Sequence, residues 1–369
     1  MNMTSRERVL TILSGGQPDQ VPWFADLDYY ASGLIARGER PKGFKRSIEY
    51  LDWHKKLGAG YYLQGYMPFR EITEGCTVKE YSKDGLRHRS VSTPKGDLTE
   101  TWKYSDSTVS EAPIERLVKS KSDLSAYRYY YEHVRFEPDH DMAEQLKQNI
   151  EDLGVVLCYT PRSPFMRMIT IDSGIENIIS IFMDAQSELE DTLGEMKQAL
   201  DAAVDITVQG PADIIMIPEN LSSEVVGTTF FEMYMKEYQT DWVNKIHAAG
   251  KFSTMHLDGT LRGLLKQEAA VGFTFIEAMT PAPAGDLPIE EWKEYLEGTN
   301  VIAWGGIPGA FFTDQVTDDE FDEFVIRVLS VMKSEPRYVL GVADQVPPDG
   351  NEYRIARVRE LVDKHGRYE

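Results

Sequence analysis

The chain has 369 residues, 39 Lys+Arg against 60 Asp+Glu, and a formal net charge of −21, a balance that argues against a nucleic-acid partner because a polyanion would be repelled. With 42% hydrophobic and 27% charged residues the composition is that of a soluble globular protein, and no run approaches the roughly 18 apolar residues of a membrane span. Cys76 and Cys158 make neither a disulfide framework nor a ligand spacing, and the N-terminus opens on a polar helix rather than a signal peptide, so a cytoplasmic setting is expected.

Taken in order, the elements alternate between strand and helix. Thr4 and Glu7 have capping-box spacing ahead of Val9, Leu10, Ile12 and Leu13, and Gly15-Gly16 stop this first helix. Pro18 and Pro22 bracket the entry to a strand over 21–24; helical periodicity over 46–56 leads to a second strand at 61–63. Roughly ninety residues then separate it from the next parallel strand, far more than one crossover needs. Alternation over 76–81, 86–90 and 98–104, with turn chemistry at Lys83-Asp84-Gly85 and Pro94-Lys95-Gly96-Asp97, predicts an antiparallel meander, and helices over 121–131 and 139–153 lead back. Strands over 155–158, 214–217, 252–255, 273–276, 301–303 and 338–342 follow, with helices predicted over 187–208, 228–249, 260–270, 288–297, 317–333 and 352–365. Eight strand–helix repeats predict an α/β fold, a single (β/α)8 TIM barrel spanning 1–369 with an antiparallel β-meander inserted at about 70–150, between strands two and three.

In such a barrel the downstream strand ends converge on one rim. Those ends carry Asp26, Tyr159 with Arg162, Glu219, His256 with Asp258, Glu277, Trp304 and Asp344. His256 and Asp258 are two apart on an extended strand end, so their side chains project to one side. They can offer a nitrogen and an oxygen to a metal, or act as a base with its orienting acid. Asp344 in Gly341-Val342-Ala343-Asp344-Gln345-Val346-Pro347-Pro348, together with Glu277 and Glu219, would surround that imidazole with carboxylates, which like-charge repulsion disfavours unless a cation or shared protons intervene. The catalytic set is therefore His256, Asp258, Glu277 and Asp344, the same four being the candidate metal ligands. Asp26, Tyr159, Arg162, Glu219 and Trp304 are the candidate substrate contacts: Arg162 suits a carboxylate, Tyr159 and Trp304 a flat ligand. His247, beside Gly250, reads as a helix-end residue rather than a ligand. No Gly-x-Gly-x-x-Gly, P-loop or Gly-x-Ser-x-Gly occurs.

Three stretches together resemble the uroporphyrinogen decarboxylase superfamily, and within it the corrinoid-dependent methyltransferases. They are Ser5-Arg6-Glu7-Arg8-Val9-Leu10 with Pro18-Asp19-Gln20-Val21-Pro22; Ile246-His247-Ala248-Ala249-Gly250-Lys251 leading to His256-Leu257-Asp258-Gly259; and Val346-Pro347-Pro348 followed by Asn351. The resemblance implies a zinc site, which in that branch is usually His-x-Cys-Gly with a second cysteine ahead of the prolines. Here Asp258 and Asp344 stand in the cysteine positions, making the site harder and leaving zinc, magnesium or no ion open. That departure argues against thiol acceptors and for methyl-ether cleavage, as in an O-demethylase acting on a methoxylated aromatic. The methyl would pass to the Co(I) corrinoid (cobalamin) of a separate corrinoid protein, since this sequence has no corrinoid-binding segment; a homodimer is compatible with this. The alternatives are a decarboxylase of the tetrapyrrole type and a non-catalytic ligand-binding barrel. The first is disfavoured by the acidic stretch Ala25-Asp26-Leu27-Asp28-Tyr29-Tyr30 where arginines would be needed.

Overall fold

The computed structural model describes residues 3–334 and 337–368. They form two units: Met1–Tyr66, Asp141–Tyr159 and Pro211–Glu369 make the first, Met67–His140 and Thr160–Gly210 the second. The second unit thus takes in more than the insertion expected at about 70–150, and leaves 141–159 with the parallel strands.

The first unit begins with the helix Ser5–Leu13, whose capping box is complete: the Thr4 hydroxyl accepts from the Glu7 amide at 3.1 Å and the Glu7 carboxylate accepts from the Thr4 amide at 2.7 Å. Its apolar face, Val9, Ile12 and Leu13, joins one core cluster with Phe24, Tyr62, Val155, Leu157, Ile214, Met216, Phe275, Ile302, Trp304 and Val339. The last ten of those residues come from short parallel strands and share the side that faces inward. Seven of the strands form one sheet in the order Trp23–Phe24, Tyr338–Ala343, Ile302–Pro308, Phe275–Met279, Phe252–His256, Ile214–Ile217, Leu157–Tyr159. Tyr61–Tyr62 pairs in parallel with Gly154–Val155, and a parallel bridge links Phe24 to Gly60. Near-continuous burial on both faces is what parallel strands flanked by helices require, and it explains the runs rich in Ile, Val and Met.

Most strand bounds differ from the sequence reading by a residue or two, and two larger differences matter. The strand expected at 301–303 runs on to Pro308, because Gly305 and Gly306 (φ 149° and 111°) continue it. At Gly305 a Cβ would lie 2.4 Å from the Met279 carbonyl oxygen, so only glycine permits the close approach of the two strands. The strand expected at 273–276 runs over Phe275–Met279, with a register shift against its neighbour between Ile276 and Met279 and Ala278 at φ 65°. Both shifts bear on the site.

In the second unit, Thr77–Lys83, Leu86–Thr93, Gly96–Ser105 and Ser110–Glu115 pair antiparallel in chain order. Asp84 and Gly85 both adopt positive φ, 52° and 75°, as a two-residue hairpin turn demands. A second antiparallel pair joins Phe69–Thr73 to Val134–Pro138, and the helices are Leu124–His133 and the long Ile175–Gln209, interrupted at Ala185. Asp172, 2% exposed, accepts from Tyr127 Oη at 2.5 Å and Arg167 Nε at 2.9 Å; removing one partner of such a buried pair costs about 3–5 kcal/mol. Among the described residues no helix is long and apolar enough to cross a membrane.

One buried group makes the fold sensitive to acid. His54, on the helix Ile48–Leu57, is 1% exposed among the rings of Tyr50, Trp53 and Tyr61, and neither of its nitrogens has a hydrogen-bond partner. Burial pushes its pKa from the ordinary 6.5 down to about 3. The unfolded chain therefore takes up a proton below 6.5 that the folded chain refuses; stability from this group is complete above 6.5 and falls as pH drops toward 3, by about 1.4 kcal/mol per pH unit. Urea titrations of wild type and His54→Phe at pH 7 and pH 5 should show the stability difference shifting in favour of the variant by about 2 kcal/mol at the lower pH. An unchanged difference would refute this account.

Candidate active site at the downstream strand edge

Register pairs Ile217 with Met255, His256 with Glu277 and Pro308 with Ala343, so the residues that follow these strands share one edge. Alternation then decides what each side chain faces. Phe252, packed on the inward core, sets His256 inward two residues short of Asp258; Phe275 does the same for Glu277. His256 and Glu277 are direct neighbours across parallel strands, with Nδ1 donating to Glu277 Oε2 at 2.6 Å. The other oxygen of Glu277 accepts from Tyr62 Oη at 2.9 Å, and the carboxylate is 1% exposed. Glu277 is thus fully engaged in orienting the imidazole from behind and is not placed as a ligand beside Nε2.

Nε2 points the other way, toward Asp258 Oδ2 at 3.7 Å and Asp344 Oδ1 at 3.5 Å. Alternation from inward Val339 would turn Asp344 away from the core, but at φ 70° its backbone is left-handed, and this places the carboxylate beside His256. Asp is among the few residues that tolerate that conformation, and holding it costs about 1–3 kcal/mol. The following turn is pinned where the Val346 amide donates to the Asp26 carbonyl at 3.2 Å. One ligand atom each from His256, Asp258 and Asp344 lies within 4.8 Å of the others, and exposure rises along the set: His256 is buried, Asp258 intermediate, Asp344 exposed.

The charge balance is lopsided. Burial alone would lower the His256 pKa, but the hydrogen-bonded Glu277 carboxylate and the nearby Asp258 and Asp344 carboxylates raise it well above the ordinary imidazole range. Asp26, inward like Phe24 and 4% exposed, is pushed well above the usual carboxylate range by burial first, then by Asp28, with Asp344 and Glu277 adding to it. Its Oδ1 accepts from the Asp28 amide at 2.9 Å, so Asp26 lies under the site rather than in either cavity.

Two cavities open beside the cluster. One, of about 310 Å³, is lined by His256, Asp344, Tyr159, Tyr29, Gln64 and Asn220 among others; the second, of about 360 Å³, by Asp258, Asp344, Thr280 and Gln345. Tyr159 is held by its Oη to Gln64 and by its amide to the Tyr66 carbonyl at 2.8 Å, so the expected aromatic wall is present.

Of the expected substrate contacts, Tyr159 alone lines either of these two cavities. Glu219 follows inward-facing Ile214 and Met216 by odd steps, so it falls on the outer side, fully buried, where Gln239 Nε2 reaches it at 3.4 Å and Glu268 at 3.3 Å. Asn220, at φ 50°, takes the cavity position instead. Trp304 is 0% exposed in the core, 5.2 Å from the rings of Phe24 and Tyr62 and 4.9 Å from Phe275. It sits four residues short of the true strand end at Pro308, and the cavity residues there are Pro308, Gly309 and Ala310. Arg162 belongs to the second unit and is partly buried there. His247 accepts or donates at 2.8 Å to Ser253 Oγ, a helix-end role as expected. Asp28, Gln64 and Gln345 line the cavities without having been expected; Asp28 shares the acidic stretch with Asp26, whereas nothing in the sequence marks the two amides.

Ligands held about 2.1 Å from one tetrahedral ion stand about 3.4 Å apart. The 3.5 and 3.7 Å separations from Nε2 match that spacing, and three protein ligands leave an open position. For an ion such as zinc held there, Glu277→Gln would weaken binding about 10–100-fold by misorienting His256, and Tyr62→Phe would weaken it less. Competition with a chromophoric chelator measures both; unchanged affinity in Glu277→Gln would remove the positioning role.

A family model described as uroporphyrinogen decarboxylase (URO-D) matches residues 107–365. No curated protein matches the sequence. Among solved structures the chain is similar to a methyltransferase from Methanosarcina mazei, at 14% identity and a TM-score of 0.62, over 98% of this chain and 99% of that one, a likeness of fold. The match running from residue 107 to 365 of the 369 shows that the chain belongs to the uroporphyrinogen decarboxylase family.

Proposed function

We propose that this protein is a methyltransferase that cleaves the methyl ether of a methoxylated aromatic compound and delivers the methyl group to the Co(I) corrinoid of a separate protein. In this reading its eight parallel strands close as one (β/α)8 barrel, and the 67–140 stretch is an insertion between the second and third of them, containing the antiparallel meander. The observation that carries the proposal is the cluster of one imidazole nitrogen and two carboxylate oxygens, spaced for a single divalent cation and opening on cavities of ring size. The solved methyltransferase with the same fold is consistent with it.

The chemistry follows from the leaving group. When the carbon–oxygen bond of an aryl methyl ether breaks, the electron pair stays on a phenolate oxygen, which leaves poorly unless its charge is met. A divalent ion held by His256, Asp258 and Asp344, zinc in the first instance, would supply a Lewis acid at that oxygen. Glu277 and Tyr62 keep the imidazole oriented, Tyr159 and Tyr29 flank the ring, and Asp26 stays beneath the site as a neutral acid. Oxygen ligands in place of thiolates leave the ion more electrophilic than a sulfur-rich site would. A decarboxylase of polycarboxylated tetrapyrroles is disfavoured, because Asp28, Asp258, Asp344 and Asp349 line the two cavities.

Elemental analysis of wild type beside His256→Ala and Asp344→Ala should find about one zinc per chain, lost in both variants. Methyl transfer from a methoxybenzoate to Co(I) cobalamin should fall at least 1000-fold in His256→Ala. Turnover unaffected by that substitution would remove this cluster from the mechanism.

A further inference from the structure

The cavity that His256 and Asp344 face is acidic except at one point. Asp28 and Asp344 both line it, and Lys45 is the one lysine or arginine among its described lining residues. Lys45 stands on the short turn Phe44–Arg46, which is anchored by the buried Phe44 ring against Tyr50 at 5.3 Å and Trp53 at 5.6 Å. Its Nζ donates to Ser32 Oγ at 3.1 Å and stands 3.8 Å from Asp28 Oδ2, too long for a hydrogen bond. Asp28 is itself held by Tyr50 Oη, which donates to Oδ1 at 2.7 Å. An ammonium has three donors, so this one keeps donor capacity beside a cavity walled by Tyr29 and Tyr159.

We infer that Lys45 is a specificity-determining residue that binds the carboxylate of an acidic aromatic substrate, an inference that rests on the methoxyarene reading above and narrows it to methoxylated benzoates. A chain of net charge −21 disfavours anions at long range, so an acidic substrate needs a local cation, and Lys45 supplies it. One ammonium already beside Asp28 suits a monoanion; a phosphate or a polycarboxylate would leave charge uncompensated. The aromatic walls select a flat ring between that cation and the His256 cluster, which fixes the polarity of the bound molecule: carboxylate toward Lys45, methyl ether toward His256.

Calorimetric titration of the whole protein with benzoate and with neutral benzamide tests this without requiring turnover. Wild type should bind benzoate about tenfold more tightly than benzamide, Lys45→Met should erase that preference while leaving benzamide unchanged, and Lys45→Arg should restore most of it. Equal binding of the two ligands by wild type, or a preference that survives in Lys45→Met, overturns the assignment. Lys45-dependent benzoate binding without demethylation of 4-methoxybenzoate upholds Lys45 and rejects the methyl-ether reading. Demethylation of neutral and acidic methoxyarenes with the same KM upholds the methyl-ether reading and rejects Lys45. Binding of neither ligand rejects Lys45, and absence of demethylation of neutral and acidic methoxyarenes alike rejects the methyl-ether reading.

Discussion

The site depends on crowding carboxylates around one imidazole. Glu277 and Asp26 are nearly inaccessible to water, Asp258 and Asp344 less so, and His256 is the one basic side chain in direct contact with three of them. The same crowding raises the pKa of both His256 and Asp26, which favours the protonated form of each and eases part of that repulsion. What is left is a negative pocket whose two outermost oxygens face Nε2 from the solvent side. A divalent ion there would relieve the repulsion that the fold has built in, so an arrangement that by itself costs stability would favour binding a cation.

The geometry that achieves this is set by backbone exceptions at the strand ends. Ala278 at φ 65° follows Glu277 where the strand pairing slips, Asn220 at φ 50° follows the fourth parallel strand, and Asp344 at φ 70° ends the last. Each is a non-glycine residue in a left-handed conformation, and two of the three put their own side chain on the cavity. Strain concentrated this way is expected where side-chain direction matters more than backbone comfort. The rest of each strand obeys ordinary alternation, so the rigid core beneath holds these exceptions in place.

That division also explains what could be read in advance. The period-two pattern and the position of His256 were enough to bring His256, Asp258, Glu277 and Tyr159 to the inward side, and the prolines after Asp344 correctly marked a chain leaving its strand. Glu219 was assigned by its place after a strand without counting from Met216, and the count sends it outward to Gln239 and Glu268. Trp304 is misplaced because the strand does not end at Ala303 but runs on to Pro308, with glycines inside it where the Met279 carbonyl comes close. Asp344 could be named as a candidate, but its direction depends on a single dihedral angle that no hydrophobic pattern encodes. Lys45 carried no signal at all: a lysine on a short turn is ordinary, and only the folding of that turn against Tyr50 and Trp53 brings it to the cavity.

The same distinction separates family from reaction. In this chain the fold rests on the inward core, built from residues such as Phe24, Tyr62, Phe275 and Trp304 that line neither of the two cavities. Asp258 and Asp344 lie one or two residues beyond their strands, where exchanging a thiolate for a carboxylate would cost the fold almost nothing, because their side chains are 27% and 50% exposed. A hard, three-ligand site with acidic surroundings suits an oxygen leaving group better than activation of a soft thiol. On the proposed reading, donor hardness would govern which bond breaks and Lys45, lining the same cavity as His256, which molecule is held for it.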